Sequence, residues 1–395
     1  MLNGILIGIL SLVLLMWVLR HGMMTRTLRD DPHLAADPDA PIPDDRPLVS
    51  VIIPARNEAR NIRRTLDALL VQHYPRFEVI VADDRSNDET PGIVGDVAAR
   101  DKRVRLIKIS ELPEGWTGKN HALWRAQQDA RGELLLFLDA DVALDPGALA
   151  VLVADLLDHH VDMLSTLLRL DSHSFWEKSI RVVLGSILMV RHPLHKVNDP
   201  RSTRAFANGQ LILIRSDVYR EIGGHASVKS ILLEDVALAH EVKRRGKRLR
   251  AAYGFDLASA RMYDSLGEIF RGWRRIYYSG FGGSAARVLF GVVLLVVFTL
   301  FPYFCLVFSG ATLVADGFSA GTLALLVLSI VEIAVMLALM VRMHRLSRCE
   351  VAYVAMHPAA GLIALGILLA AASRRFAPGG IVWKGTRYDT RRNRH

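Results

Sequence analysis

Cysteine is nearly absent: the chain of 395 residues has two, Cys305 and Cys349, lying in or beside long apolar runs and at no metal-ligand spacing. A disulfide framework is thereby excluded, in keeping with a cytoplasmic setting. No Gly-x-Gly-x-x-Gly follows the first strand-like run and no Walker A loop occurs, so dinucleotide and P-loop readings lose their main support. Internal repeats and low-complexity tracts are missing as well. Between Arg20 and Arg287 no uncharged apolar run approaches the length of a membrane span.

What is present is unevenly distributed. Hydrophobic residues make up 51% and the mean hydropathy is +0.25, too apolar for a plain soluble protein, yet 23% of residues are charged. The apolar excess sits in Leu2 to Leu19 and in three late runs, Val288 to Val314, Phe318 to Val341 and Val351 to Ala372. Each is near the length that crosses a bilayer as a helix. The first run reads as an anchor rather than a cleaved signal, because no positive residue precedes it and no small-residue cleavage site follows. Arg20, Arg26 and Arg29 come just after it, which places the soluble part on the cytoplasmic side of the cell membrane. If all three late runs cross, the tail emerges outside, whereas Arg374, Arg375, Lys384, Arg387, Arg391, Arg392 and Arg394 argue for inside. One late segment is therefore expected to be re-entrant or interfacial, with Val288 to Val314 (containing Pro302) and Val351 to Ala372 (containing Pro358) as the candidates. The net charge of +9 and pI near 9.7 lie largely in these flanking stretches, which suits anionic lipid headgroups rather than nucleic acid. The expected organisation is an anchor (1–20), a linker (21–47), a soluble domain with interfacial helices (48–286), about three membrane segments (287–373) and a basic tail (374–395).

Asp30 to Pro47, rich in Asp, Pro and Ala, reads as linker. From Leu48 to Ala55 a β-branched apolar run predicts a buried strand, and Asn57 is a candidate N-cap for a helix to about Val71. Strands are then expected at Phe77 to Ala82, Val104 to Ile109 and Leu134 to Leu138. Helices are expected at Thr90 to Arg100, about Lys119 to Ala130, and Pro146 to Leu157. This alternation predicts an α/β domain with a mostly parallel sheet and helices on both faces. Ligands of such sheets bind at the carboxyl ends of the strands. Three acidic groups fall there: Asn57-Glu58, Asp83-Asp84 and Asp139-Ala140-Asp141. Carboxylates so placed can hold a ribose, a base or a divalent cation shared with phosphates. Taken singly, each is equally well a turn or a cap.

The segments Val51-Ile52-Ile53-Pro54-Ala55-Arg56-Asn57-Glu58, Val81 to Thr90 and Leu138-Asp139-Ala140-Asp141 resemble, in order, glycosyltransferase family 2. The resemblance spans roughly Leu48 to Tyr278. It implies a GT-A fold, a nucleotide diphosphate sugar donor with a UDP-sugar as default, and inversion at the anomeric carbon. It further implies donor contacts from Pro54, Ala55, Asn57, Glu58, Asp83, Asp84, Lys119, Asp139 and Ala140. Mg2+ or Mn2+ would sit on Asp139 and Asp141. Leu233-Glu234-Asp235-Val236 is similar to the family's Glu-Asp motif, with Asp235 as general base beside Glu234. An N-cap role for Asp235 and a plain helix-start role for Lys119 are the alternatives. Asn208 and Gly209 fall on the acceptor side. Arg271, Trp273 and Arg274 lie where processive members carry Gln-x-x-Arg-Trp, but the Gln and the Arg-Trp order are missing, and Trp273 suits a membrane surface equally.

Three features favour a lipid acceptor. Phe175 to Val197 mixes apolar and basic residues, as an amphipathic interfacial helix or a core helix does. Glu332, inside an apolar run, marks a polar contact or a packing point. Ile381 to Tyr388 and Leu112 to Lys119 are similar to motifs of the branch that modifies ceramides, carotenoids and hopanoid-type lipids. The reading is metal-dependent, inverting transfer of a sugar to a membrane lipid. A processive polysaccharide synthase, a membrane-bound nucleotidyltransferase and an inactive scaffold are its alternatives.

Overall fold

The computed structural model describes residues 2–42, 46–189, 192–373, 381–383 and 386–388. The expected basic tail falls mostly outside the described residues, Arg374, Arg375, Lys384, Arg391, Arg392 and Arg394 among them. Arg191 of the expected amphipathic segment lies outside them too.

The apolar runs form β1 (His33–Ala35), β2 (Val49–Ala55), β3 (Phe77–Asp84), β4 (Val104–Ile109), β5 (Leu134–Leu138), β6 (Val142–Leu144), β7 (Met163–Leu170), β8 (Leu211–Arg215) and β9 (Leu249–Ala260). They make one mixed sheet in the order β1-β9-β7-β8-β5-β2-β3-β4, with β6 on β9. β2, β3, β4 and β5 are parallel, while β8 is antiparallel to both β5 and β7. β2 therefore lies between β3 and β5, and the three acidic strand ends share one edge. Helices Ile62–Leu70, Thr90–Arg100 and Ala148–Asp158 seal an aliphatic core on one face, whereas Gly118–Gln127 and Glu234–Arg244 pack on the other.

Two expectations need correction. Asn57 is no N-cap: the helix begins at Ile62 behind Asn61, and Asn57 takes a left-handed φ of 54°. Its side chain accepts from the Asn87 N–H at 2.8 Å while its own N–H donates to Ser86 Oγ at 2.9 Å, so it stitches two loops together. The expected linker is ordered at its start. The first helix continues to Asp30, and β1 then covers the edge of β9, which would otherwise present unpaired backbone groups.

Among the described residues four helices have the length and apolarity to cross a membrane: Leu2–Asp30, Ala285–Asp316, Ala320–Leu346 and Val351–Ala372. A π-helical turn at Val296–Leu300 precedes Pro302 and accommodates it within the second. Asn3 bonds Thr322 at 3.2 Å, and Arg342 bonds the His21 carbonyl and Thr25 Oγ1 at 3.2 and 2.9 Å, so the first and third helices run the same way. The second runs opposite: Phe298 accepts from Trp17, while Cys305 packs on Leu6, Leu10 and Leu325. The last is antiparallel to the second, with His357 on Tyr303 at 3.1 Å and Gly361 against Thr299 and Leu300. Two consecutive helices, Ala320–Leu346 and Val351–Ala372, therefore share one direction. The latter ends with Ala371 and Ala372 packed on Trp273, Tyr277 and Ile180 of the helices Leu266–Gly280 and Phe175–Met189.

Phe175–Met189 combines both expected characters. Ile180, Val183 and Leu184 are buried in that cluster, whereas Phe175 and Trp176 are exposed. Glu332 is wholly buried among the apolar helices, and neither of its oxygens has a hydrogen-bond partner among the described residues.

Candidate active site

The site is assembled by the Gly118–Gln127 helix. Thr117 caps it by accepting from the Asn120 N–H at 3.3 Å, and this fixes Lys119 in its first turn. The fully buried Asn120 side chain donates to the carbonyls of Val228, Lys229 and Ile231 at 2.8, 3.2 and 3.0 Å. Those three bonds hold the loop that leads into the Glu234–Arg244 helix, and so bring Glu234 and Asp235 to Lys119. Lys119 Nζ lies 2.8 Å from Asp139 Oδ1 and 2.8 Å from Glu234 Oε1, and donates to the Gly209 carbonyl at 3.3 Å. Burial alone lowers the pKa of this ammonium, but the two carboxylates outweigh it and hold the pKa above the ordinary lysine value.

Asp235 stands in the first turn of its helix behind Leu233, which occupies the cap position. Its Oδ2 accepts from the Gly209 N–H at 2.7 Å and its Oδ1 from the Val236 N–H at 2.8 Å. A Cβ at residue 209 would lie 2.9 Å from Asp235 Oδ2 and 3.2 Å from Lys119 Nζ, so any larger residue would displace the Asp235 carboxylate. Burial and the neighbouring Glu234 charge push the Asp235 pKa up to about 7, against the opposing pull of Lys119. A carboxylate titrating there is suited to taking a proton near neutral pH.

The turn carrying Asp139 and Asp141 is pinned from both sides. Thr65 Oγ1 donates to the Ala140 carbonyl at 2.8 Å, and the Asp139 N–H donates to Gln210 O at 3.1 Å. Asn208 is tied to β7 through its N–H to Ser165 Oγ and its amide to Thr166 O, at 2.8 and 2.9 Å. Among the described residues no three His, Cys, Asp or Glu side chains group to hold a metal. Two carboxylates alone suit Mg2+ or Mn2+ only when substrate phosphates complete the shell, and the all-oxygen pair Asp139 and Asp141 fits that case.

At the β2 and β3 ends, Pro54 is half-buried and Ala55 buried. Asp83 is buried with Oδ1 lacking a hydrogen bond. Asp84 is clasped by Arg85 Nε and Nη2 at 2.8 and 3.2 Å, with Arg56 at 3.5 Å. Glu58 donates its N–H to Thr90 Oγ1 at 2.8 Å and accepts from Asn61 Nδ2 at 3.1 Å. Trp273 is buried against Tyr277, and Arg271 is exposed. No hydrogen bond or ion pair among the described residues links Arg271, Trp273 or Arg274 to Lys119, Glu234 or Asp235. Sequence reasoning missed Asn120, Arg56 and Arg85. All three adjoin residues it singled out, but an adjacent amide or guanidinium announces no partner until the fold supplies one.

Residues 50–223 match the family described as Glycosyl transferase family 2. A 4,4'-diaponeurosporenoate glycosyltransferase of Staphylococcus aureus (strain N315) is 26% identical over 279 residues, 70% of this chain and 69% of the relative. Its counterpart from strain USA300 is 27% identical over 250 residues, 62% of this chain and 65% of the relative. In structure, a mannosyltransferase from Pyrobaculum calidifontis, solved with GDP-Man and Mn2+, superimposes with a TM-score of 0.54 at 21% identity. That superposition covers 95% of this chain and 99% of the mannosyltransferase, and it shares the GT-A architecture. The strand-end acids, the Lys119 bridge and these matches converge: the chain carries a family 2 glycosyltransferase domain and is a glycosyltransferase.

Proposed function

We propose that this enzyme transfers a sugar, with inversion, from a nucleotide diphosphate donor to a membrane lipid hydroxyl or phosphate. The observation that carries the reading is the half-buried Asp235 carboxylate, aimed by the N–H groups of Gly209 and Val236 beside Glu234, which Lys119 links to Asp139. Asp235 takes the acceptor proton as the acceptor oxygen bonds to the anomeric carbon. The bond from that carbon to the diphosphate oxygen breaks, and the nucleoside diphosphate leaves with the bonding electrons. Lys119 offsets negative charge on the departing side and orients Asp139. A divalent cation bound by Asp139 and Asp141 would further stabilise the diphosphate leaving group. Glu58, Asp83 and Asp84 edge the nucleoside side, with Arg56 and Arg85 holding Asp84 in place.

A lipid acceptor is supported by the packing of Leu266–Gly280 and Phe175–Met189 on the last apolar helix, which sets the domain against the bilayer. The relatives named for 4,4'-diaponeurosporenoate support the same class. We read Leu2–Asp30, Ala285–Asp316 and Ala320–Leu346 as full spans and Val351–Ala372 as re-entrant, because it shares the direction of the span before it. The domain then lies on the cytoplasmic side with the arginines that flank the first and third spans.

The test is to incubate membranes containing the full chain with labelled UDP- and GDP-sugars and to identify labelled lipid by mass spectrometry. One donor should yield a glycolipid together with nucleoside diphosphate. EDTA should abolish the product and added Mn2+ or Mg2+ restore it, while Asp235→Asn should leave about 10²- to 10⁴-fold less activity. Release of inorganic pyrophosphate, or no lipid product with any donor, would sink the proposal.

A further inference from the structure

A cleft of about 420 Å³ opens away from the catalytic residues and shares none of them, within the size range of small-molecule sites. One wall carries Arg342, Arg345 and Arg348; the other is aromatic and aliphatic, with Tyr253 and Phe255 of β9, His33 and Leu34 of β1, and Leu28. His33 stacks on Tyr253 with ring centroids 5.0 Å apart, which stiffens that wall. Leu28 belongs to the last turn of Leu2–Asp30, and Leu346, also in the lining, ends Ala320–Leu346. These two helices run parallel, so the cleft sits where both apolar stretches give way to charge.

The charge of the cleft is incompletely balanced. Arg348 pairs with Asp256 at 2.5 Å, the one carboxylate in the lining. Arg342 bonds His21 and Thr25 but no carboxylate, and Arg345 is exposed with no ion pair among the described residues. Asp31 is buried near Tyr253 and lies outside the lining of the cleft. Among the described residues, two guanidinium groups at the ends of these apolar helices thus have no carboxylate partner. Guanidinium forks match phosphate oxygens, and the apolar wall matches the glycerol and first methylenes beneath them.

We propose that this cleft binds the phosphate headgroup of an anionic phospholipid, with Arg345 and Arg342 on the phosphate and Asp256 as a competing intramolecular anion. The site is independent of sugar transfer. It seats the β1–β9 edge of the domain on the membrane surface.

The test uses the purified full chain in detergent and native mass spectrometry. Titrants are dihexanoyl phosphatidylglycerol, dihexanoyl phosphatidylcholine and glycerol 3-phosphate. Phosphatidylglycerol should bind preferentially, and Arg342→Gln and Arg345→Gln should each weaken it about fivefold. Asp256→Asn should strengthen it, an opposite sign that misfolding cannot mimic. Equal binding of the two phospholipids, or unchanged binding in both arginine variants, would overturn the proposal. Glycerol 3-phosphate binding as tightly as phosphatidylglycerol would overturn the lipid assignment in favour of a soluble phosphate ester.

Discussion

The proposed role of Asp235 depends on its desolvation and its neighbours. An exposed aspartate is fully ionised at neutral pH and a weak base; here desolvation and Glu234 raise its pKa to about 7, and Lys119 keeps it from rising further. The sign follows: in the proposed role Asp235 works when deprotonated, so kcat/KM should rise with pH, tenfold per unit on the acid side, and level off above neutrality. A stopped assay of nucleoside diphosphate release at several pH values reads this directly. A profile flat from about pH 5 to 9 would remove Asp235 from the base role. Lys119→Met should shift the limb upward, because losing the ammonium removes the one side-chain charge that opposes desolvation and the Glu234 repulsion.

Between elements, polar side chains do what backbone ladders cannot. Glu78 on β3 accepts from Ser50 Oγ of β2 at 2.7 Å, from the Arg131 N–H and guanidinium at 2.8 and 2.7 Å, and from Arg105 of β4 at 2.8 Å. Burial opposes its ionisation, but these donors outweigh burial and hold its pKa below the usual glutamate range. The Glu78 side chain is only 4% exposed, whereas that of Arg131 is 71% exposed. Glu78→Ala should therefore cost about 2–4 kcal/mol by orphaning several donors at once. Arg131→Ala should cost much less, since water already solvates that guanidinium. Tryptophan-fluorescence unfolding of the detergent-solubilised chain compares the two, and equal losses would contradict this account. In the same way the Asn120 side chain holds the loop of Val228, Lys229 and Ile231 that leads into the Glu234–Arg244 helix.

For the whole molecule, the direction of the last helix supports the proposed re-entrant reading of Val351–Ala372. The proposed topology of three full spans and one re-entrant segment would put the C-terminal end on the side of the soluble domain, as the positive-inside bias of its arginines favours. In a Cys349→Ser background, Asn393→Cys and Val71→Cys should react with an impermeant maleimide from the same face of membrane vesicles. Phe318→Cys, in the short turn between the second and third spans, should react from the opposite face. Labelling of Asn393→Cys together with Phe318→Cys would instead mean four full crossings.

The sequence by itself determined the features that depend on local pattern. Strands Val104–Ile109 and Leu134–Leu138 and the helix Thr90–Arg100 fall where periodicity places them, because burial on a sheet or beside it selects residues at fixed short spacing. The apolar runs are legible for the same reason, since hydrocarbon thickness translates directly into chain length. Only the tertiary structure decided that Asn57 ties loops instead of capping a helix, that Asp84 is clasped by Arg56 and Arg85, and that Lys119 joins Asp139 to Glu234. These contacts link residues through folding or through a left-handed turn, and the energy of a buried ion pair depends on surroundings that no single segment contains. The orientation of Val351–Ala372 belongs to the same class: composition is indifferent to direction, and only packing against Tyr303, Thr299 and Trp273 sets it.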